Sequence, residues 1–553
     1  MQRLKIDLRW GVIVVVLVGA ALRFGHLDLK PLWLDEILTA LLSLGRTGSD
    51  VPLDRWVSIA QLHDLFSLNP DVTCADIRHI VTTESTHPPF FFCLIHQWLQ
   101  WVQPTFDRLT WQLRSIPALF GIGSIAAVYW LDRVAFSAKA GLVAAALLAV
   151  SPFAVYLSQE ARHYTLPLLL VIVALVGLVQ FVRNLVRGKR VSTWTRLLWV
   201  AANTIGLYAH YFFVVAYGAQ LATLASVAIV RREGRKSLKT WLGELGFWLT
   251  PALLFLPWLT TLLHHFDRPE TDWFKPFEPS WTDHFAPIVQ TLASWVLMAI
   301  ALPVEGQPLW FAIPMGLAMV GFTLWLTRVA WRGICDRWQA IDRRLELLTL
   351  ASFTGWSLLA FASIVYGFGK DITTAPRYHF IYYPGICALL GAALTSEKQP
   401  LRRSSVVVAV GLLSSLFVTS DLAFHKPYYP RQLARSLEVD RNVPIATVVG
   451  YQNLQEIALG LSVALELPTS SKFALLDRTQ SYEFVWNTLE TLSDTPNFPL
   501  DLWVIAPGLR QAEYPQTLVL SGSNCDRDPN EYHRLGVPYQ RYQCSRSIAS
   551  SLQ

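Results

Sequence analysis

Long apolar runs separated by short polar stretches recur along the chain up to about residue 420. Runs such as 11–21, 141–150, 166–182 and 406–418 contain no charged residue. Because a helix needs about 20 predominantly apolar residues to cross a bilayer, runs of this kind predict transmembrane helices. The pattern predicts an α-helical polytopic membrane protein with about 11 spanning helices. These are expected near residues 10–25, 114–133, 139–157, 164–183, 194–209, 211–230, 241–262, 308–330, 345–367, 377–395 and 403–420.

The distribution of charge predicts the orientation of these helices. Loops rich in Lys and Arg stay in the cytoplasm, and four such stretches are predicted to be cytoplasmic: 183–196, 231–244, 328–346 and 397–403. Arg3, Lys5 and Arg9 precede the first apolar run and place the N-terminus inside. The stretches 26–113 and 264–286 carry more acidic than basic residues and are predicted to lie outside, as is the C-terminus.

Two further apolar runs are predicted not to cross the membrane. If residues 90–102 crossed, the basic stretches at 183–196 and 231–244 would fall outside. That run is short, rich in Trp and Phe, and interrupted by His96 and Gln97, which favours an interfacial helix. By the same logic, residues 288–302 are predicted to lie in the outer interface or to dip in and out.

The last part of the chain changes character and predicts a separate domain. Short strands are expected at 445–449, 472–476 and 501–506, with helices at 453–465 and 482–492 between them. Alternation of strand and helix is typical of a small α/β domain. Residues 421–553 are therefore predicted to form a soluble extracytoplasmic α/β domain, following a transmembrane domain at 1–420 whose first outer loop is 26–113. The tail has no GxGxxG motif, so no dinucleotide site is predicted.

Composition agrees with a membrane location. Hydrophobic residues make up 53% of the chain and charged residues 16%, against about 25% charged residues in a typical soluble protein. The net charge of +6 does not indicate a nucleic-acid partner. The first apolar run is followed by Arg23 and bulky residues, so a cleavable signal peptide is not expected.

Six cysteines are present, and two of them, Cys525 and Cys544, fall in the predicted outer domain. A disulfide between these two is predicted for an oxidising compartment; two free thiols are the alternative. Residues 539–542 are expected to supply a strand that ends at Cys544. The remaining cysteines are too scattered to predict a metal cluster.

An acidic pair directly follows the first predicted span. Asp35 and Glu36 stand in the sequence Trp33-Leu34-Asp35-Glu36, at the predicted outer mouth of the membrane. Carboxylates near lipid are costly to keep ionised, so they indicate function by default; the alternative is a solvated pair of loop residues.

Several other polar residues fall at predicted outer junctions. Each has an ordinary explanation, because Pro-Pro after His87 can open a helix, Tyr can form an aromatic belt and Arg can reach a lipid phosphate. Their convergence on the face of the acidic pair favours a hydroxyl nucleophile and a phosphate leaving group, with the acid taking the proton and the cations holding the phosphate. The candidate substrate-binding residues are His87, Arg114, Glu160, Arg162, Tyr164, His210, Tyr211, Arg377 and Tyr378.

Together these motifs resemble the GT-C superfamily of membrane glycosyltransferases, in the branch of protein O-mannosyltransferases and bacterial aminoarabinose transferases. The matching stretches are 32–36 (LWLDE), 86–90 (THPPF), 113–115 (LRS), 158–164 (SQEARHY) and 376–378 (PRY). The resemblance implies a polyprenyl-phosphate-linked sugar donor, transfer on the extracytoplasmic face with inversion, and an acid in the first outer loop as the catalytic base. That role falls on Asp35, with Glu36 as its neighbour.

The resulting prediction is a glycosyltransferase of a bacterial-type plasma (inner) membrane. Arg162, Arg377 and His87 are expected to neutralise the lipid phosphate, and Glu160 to bind sugar hydroxyls or to pair with Arg114 or Arg162. Glu36 is expected to orient an Arg or the acceptor, while Trp33 and Tyr164 pack on the sugar ring or the first isoprene units. No cofactor is required; a divalent cation is possible but not demanded. Membrane lipids and a glycan, lipid or protein acceptor are the other expected partners, and a transporter, flippase or non-catalytic binder of lipid-linked sugars is the alternative.

Overall fold

The computed structural model describes residues 8–230, 235–266, 268, 280–340, 343–439, 443–493 and 497–545. Arg3, Lys5 and most of the predicted outer stretch 264–286 lie outside these residues. The helices, in chain order, are α1 Leu8–Phe24, α2 Leu34–Ser43, α3 Ile59–Leu65, α4 Cys74–Glu84, α5 Phe90–Val102, α6 Phe106–Ala135, α7 Ala138–Ala149, α8 Pro152–Ser158, α9 Thr165–Val186, α10 Thr193–Ala209, α11 Phe213–Val230, α12 Arg235–Phe255, α13 Leu259–Phe266, α14 Ala286–Ala299, α15 Leu309–Gln339, α16 Arg344–Phe368, α17 Tyr383–Leu394, α18 Leu401–Thr419, α19 Pro430–Ser436, α20 Leu454–Ala464 and α21 Tyr482–Thr491. The strands are β1 Val57–Ser58, β2 Ile445–Tyr451, β3 Lys472–Asp477, β4 Leu500–Ile505, β5 Thr517–Leu520, β6 Ser523–Arg534 and β7 Pro538–Cys544.

The apolar helices are those of a membrane protein. Each of the 11 predicted spans coincides with one or two helices, and the two runs predicted not to cross form α5 and α14. Among the described residues, six helices are long and apolar enough to cross a bilayer, and the bent pair α7–α8 makes a seventh. The number of crossings and their direction therefore remain predictions. In the most apolar stretch of α9, 78% of the residues are buried inside the protein, against 11% for α15, whose Trp310 and Leu317 are exposed as lipid-facing side chains would be.

A break between α7 and α8 divides the span predicted at 139–157, and the two helices meet at 61°. The carbonyl groups freed at the end of α7 need partners, because lipid offers none. Arg23, at the end of α1, is fully buried and donates to the carbonyl oxygens of Leu148 and Ala149, both at 3.0 Å. Ser151 then caps α8 by accepting from the backbone N–H of Ala154 at 3.3 Å. A cation at a helix C-terminus also interacts favourably with the helix dipole.

The chain forms two compact units. The first comprises residues 1–27, 85–91 and 114–424; the second comprises 28–84, 92–113 and 425–553. The predicted division placed the whole of the loop 26–113 with the transmembrane helices, whereas most of this loop belongs to the unit that contains the C-terminal tail. The reason is strand pairing between segments distant in sequence: β1, from the loop, lies antiparallel to β3, with Val57 opposite Phe473.

A seven-stranded mixed sheet lies at the centre of the second unit, in the order β1-β3-β2-β4-β7-β6-β5. Strands β3, β2 and β4 are parallel and are joined by α20 and α21, as the alternation of strand and helix predicted. The other neighbouring strands are antiparallel. β7 confirms the strand expected before Cys544. β5 and β6 were not predicted; β6 is polar along most of its length.

Two disulfides hold parts of the second unit. Cys525 and Cys544 face each other across β6 and β7, are both buried and are bonded, with their α carbons 4.0 Å apart, so the predicted disulfide is confirmed. A second disulfide, not predicted, joins Cys74 at the start of α4 to Cys93 in α5.

Candidate active site

The acidic pair lies at the N-terminus of α2, in the second unit. Asp35 and Glu36 occupy the first turn of this ten-residue helix, where the exposed backbone N–H groups and the helix dipole favour negative charge. Asp35 is partly exposed, whereas Glu36 is buried, with 1% of its surface accessible. A carboxylate oxygen of Glu36 lies 3.5 Å from the backbone nitrogen of Trp33, so Glu36 helps to cap its own helix.

The motif 158–164 forms the turn between α8 and α9, in the first unit. The Gln159 side chain donates to the carbonyl oxygens of Leu22 at 3.2 Å and Gly25 at 2.8 Å, which ties this turn to the end of α1. Arg162, His163 and Tyr164 follow, each 5% exposed or less. The turn thus places a cation and two aromatic rings in a buried position.

Three histidines from three separate turns meet beside this motif. His87 precedes α5, His163 precedes α9 and His210 ends α10. The ring centroids of His87 and His163 lie 4.8 Å apart, and those of His163 and His210 lie 4.6 Å apart. The turn after α10 is tight because Gly206 leaves room for the Phe213 ring, which would lie 2.3 Å from an added β carbon. We call His87, His163 and His210 the histidine cluster.

Arginine and tyrosine side chains surround the histidine cluster. A terminal nitrogen of the Arg162 guanidinium lies 3.3 Å from Nε2 of His87. The guanidinium carbons of Arg162 and Arg377 lie 5.9 and 6.0 Å from the centroid of the Tyr164 ring. The ring centroids of Tyr378 and Tyr164 lie 6.3 Å apart. Four of the predicted substrate-binding residues, Arg162, Arg377, Tyr164 and Tyr378, are therefore grouped with two of the histidines predicted for the same role.

The hydrogen bonds define the protonation of two histidines. Because Arg162 can only donate, Nε2 of His87 accepts, and its Nδ1 carries the proton and donates to Oγ of Ser85 at 2.7 Å. Nδ1 of His210 accepts from the backbone N–H of Phe212 at 3.1 Å. Both rings are therefore neutral.

Burial explains why these rings stay neutral. It lowers the pKa of His87, His163 and His210 well below the usual value of 6.5, because a charged ring would lose its hydration. Neighbouring groups lower the pKa values further: Arg162 has the largest effect among them on His87, whereas neighbouring histidines have a larger effect than Arg162 on His163 and His210. The group is thus an arrangement of cations and neutral polar rings that favours the binding of an anion.

Three other predicted residues have different surroundings. Arg114, 2% exposed, donates to the carbonyl oxygen of Leu27 at 2.9 Å and so braces the segment after α1. The Tyr211 hydroxyl contacts Nδ1 of His265 at 2.8 Å and accepts from the indole N–H of Trp258 at 3.2 Å. Glu160 is buried, and its backbone carbonyl accepts from the N–H of Arg162 at 2.7 Å.

Three residues of this region had no predicted role. His163 is the middle member of the histidine cluster. His265 is buried and lies close enough to lower the pKa of His87, and Arg268 donates to the carbonyl oxygen of Ser85 at 3.2 Å. The adjacent pair His264-His265 was a visible signal, but its position beside His87 depends on tertiary packing. Within the described ranges, no group of three or more His, Cys, Asp or Glu side chains could hold a metal ion.

The fold and these motifs define a class: the chain has the fold of the GT-C membrane glycosyltransferases, and the resemblance seen in the sequence is confirmed. Residues 86–260, less than half of the chain, match the family model described as dolichyl-phosphate-mannose-protein mannosyltransferase. That stretch includes the histidine cluster and Arg162. No curated protein sequence matches the chain.

The solved structures of one protein, ArnT, agree on the fold. The chain is similar to ArnT from Cupriavidus metallidurans bound to undecaprenyl phosphate, with 15% identity and a TM-score of 0.52 over 99% of this chain and 100% of that one. The same protein in the apo state matches with 14% identity and a TM-score of 0.52, over 96% and 97%. The oligosaccharyltransferase AglB from Archaeoglobus fulgidus is less similar, with 13% identity and a TM-score of 0.47 over 91% and 69%.

Proposed function

We propose that this protein transfers a sugar from a polyprenyl-phosphate-linked donor to an acceptor hydroxyl, on the extracytoplasmic face of a bacterial-type plasma membrane and with inversion. The observation that carries the proposal is the group formed by the buried Arg162, the half-buried Arg377 and the histidine cluster. Its chemistry suits a phosphate that leaves as the sugar is transferred. The family description of residues 86–260 and the undecaprenyl phosphate bound to the structurally similar ArnT support the same donor class.

In this proposal Arg162 and Arg377 bind the donor phosphate through the planar guanidinium fork, which matches phosphate oxygens. When the bond between the sugar and the phosphate oxygen breaks, the electron pair stays on that oxygen and the phosphate gains negative charge. Hydrogen-bond donors that are already in position around such a charge stabilise the transition state. Neutral histidines add hydrogen bonds, and His87 can take a proton as the new charge appears.

Asp35 is the proposed general base. Its carboxylate accepts the acceptor's hydroxyl proton while the hydroxyl oxygen attacks the anomeric carbon from the side opposite the leaving phosphate, and one substitution of this kind inverts the anomeric centre. Glu36 supports the helix turn that carries Asp35, and it is also the residue proposed to orient an Arg or the acceptor. Trp33 and Tyr164 are the proposed apolar surfaces for the sugar or the first isoprene units, and Glu160 the proposed sugar ligand. A divalent cation is not part of the proposed step.

An assay of donor consumption tests this function. Purified protein is mixed with a panel of polyprenyl phosphate sugars, each labelled in the sugar, and with membranes of a strain that lacks the gene as the source of acceptor. We expect one donor to lose its label to the membranes and to release polyprenyl phosphate. A protein that only transports or binds the lipid-linked sugar would release no polyprenyl phosphate.

Asp35→Asn tests the base within this assay. The amide is nearly isosteric but does not accept the proton, and general base catalysis contributes about 10²- to 10⁴-fold, so turnover should fall by at least 100-fold at equal expression. Asp28→Asn is the matched control, since Asp28 is exposed and precedes the same helix; it should keep wild-type turnover. Activity of Asp35→Asn within about threefold of wild type would remove Asp35 as the base.

A further inference from the structure

The N-terminus of α2, where Asp35 lies, depends on a residue of the C-terminal tail. The first N–H groups of a helix have no partner within the helix, and the residue that precedes α2 is Trp33, whose indole N–H is a donor and does not accept from them. The hydroxyl of Tyr428 supplies the missing acceptor: the backbone N–H of Leu34 donates to it at 2.7 Å. Leu34 is the residue immediately before Asp35.

The Tyr428 hydroxyl is itself held in one orientation. It lies 2.8 Å from Oγ of Ser462, in α20, and Ser462 donates its own proton to the carbonyl oxygen of Leu459 at 2.7 Å. A hydroxyl donates once, so Tyr428 must be the donor to Ser462. Hydrogen bonds then run in one direction, from the Leu34 N–H through Tyr428 and Ser462 to Leu459. Tyr428 is 4% exposed and Ser462 is 1% exposed.

Neighbouring contacts within the same compact unit fix both ends of this chain of hydrogen bonds. The Lys426 ammonium lies 4.1 Å from the centroid of the Trp33 ring, and Arg431 donates to the carbonyl oxygen of Leu29 at 2.7 Å. On the other side, a β carbon at Gly536 would lie 2.2 Å from the carbonyl oxygen of Pro427, so the segment before Tyr428 packs closely on the turn between β6 and β7. Helix α2 also packs along α20.

We infer that the Tyr428 hydroxyl is a positioning residue for catalysis: it fixes the first turn of α2 and, through that turn, the direction of the Asp35 carboxylate. This inference rests on the proposed function, in which Asp35 is the base. Burial raises the pKa of Tyr428 and the charges of Asp35 and Glu36 raise it further, so the hydroxyl keeps its proton through the physiological pH range. The tail thereby contributes to the reaction without touching the substrate.

Tyr428→Phe removes the hydroxyl and keeps the ring. We expect turnover to fall about 10- to 100-fold, since small misplacements of a reacting group cost rate on this scale, while the apparent KM for the donor stays within twofold of wild type. Amide hydrogen exchange of the full chain in lipid nanodiscs should be about tenfold faster in peptides covering residues 34–36, as expected for the loss of one hydrogen bond. Ser462→Ala should show a smaller change of the same kind.

Tyr539→Phe is the matched control. Its hydroxyl also contacts a serine, Ser436 at 2.8 Å, in the same unit, so this variant also removes a buried tyrosine hydroxyl from the same unit. It should change neither turnover nor exchange at residues 34–36. Turnover is measured with the polyprenyl phosphate sugar that the donor panel identifies. Hydrogen exchange is measured on the protein without a substrate.

The results separate the possibilities. Wild-type turnover in Tyr428→Phe, with or without faster exchange, overturns the inference. Lower turnover accompanied by faster exchange throughout the sheet, or by a raised donor KM, also overturns it, because the residue would then only stabilise the fold. If Tyr428→Phe does not fold, the same criteria are applied to Ser462→Ala. Full activity of Asp35→Asn refutes the proposed base whatever the exchange result, so the two failures are distinguishable.

Discussion

Loss of Arg162 should weaken use of the donor, and the defect should depend on pH. Truncating one partner of a buried charged contact commonly costs about 2–5 kcal/mol, which corresponds to at least about 30-fold in kcat/KM at 1.4 kcal/mol per tenfold. Arg162 has a second effect, since its guanidinium lies 3.3 Å from Nε2 of His87. At an effective dielectric constant of 20, two unit charges at that distance repel by about 5 kcal/mol. Arg162 therefore opposes protonation of His87.

The sign of the pH effect follows from this repulsion. Burial, and then Arg162, lower the pKa of His87, so Arg162→Ala raises it towards its ordinary value. At pH 8 His87 remains neutral and the full loss of at least 30-fold is expected. At pH 6 a larger share of His87 is protonated beside the bound donor phosphate and replaces part of the missing charge, so the loss relative to wild type should be smaller than at pH 8.

The assay measures kcat/KM for the donor at pH 6 and pH 8 in wild type, Arg162→Ala and Arg162→Ala with His87→Gln. The double variant should lose the recovery at pH 6. Arg332→Ala is the matched control, because Arg332 is an exposed arginine on α15, and it should behave as wild type at both pH values. Donor use by Arg162→Ala within threefold of wild type at pH 8 would refute the phosphate role, and an equal loss at both pH values would refute the coupling to His87.

Two further predictions concern the tail and the topology. Replacing both Cys525 and Cys544 by Ala should destabilise the second unit by about 3 kcal/mol, from the chain-entropy estimate for a loop of about 20 residues, and should leave turnover per folded molecule unchanged. Limited proteolysis measures the stability and the donor assay measures the turnover. An unchanged proteolysis rate would contradict the estimate. A cysteine at Ser192 should resist an impermeant thiol reagent in intact cells, and one at Ser436 should react; labelling at position 192 from outside would refute the 11-helix topology. The equivalent test positions at 237 and 271 lie where no side chain is described.

The tail shows which features can be predicted from sequence. Strands β2, β3 and β4 are short apolar runs between helices, and such runs are recognised because their periodicity is local. β6 has the sequence of a polar loop, and it is a strand only because β5 and β7 pair with it. Tertiary pairing decided its conformation, and intrinsic propensity did not.

Some residues of the candidate site could be predicted from the sequence, and others could not. Residue types indicated Asp35, His87 and Arg162, because charge near lipid is costly and is kept for a reason. The roles of Arg23 and Tyr428 were not predictable, since an arginine at the end of a span usually reaches lipid phosphates and a tail tyrosine is ordinary. Each acts on backbone groups of an element distant in sequence, and only the fold brings these groups together.

The pairing of the first loop with the tail also imposes an order on biosynthesis. The backbone N–H of Asp477 donates to the Asp54 carboxylate at 3.0 Å, across 423 residues of chain. At 5–20 residues per second, ribosomes need roughly 20 to 80 s to make that length. During this time β1 and the first turn of α2 have been made but their partners have not. The protein therefore completes the surroundings of its proposed base only when the tail has been made, and a nascent chain whose synthesis stops before Tyr428 keeps an acidic helix end without that tyrosine.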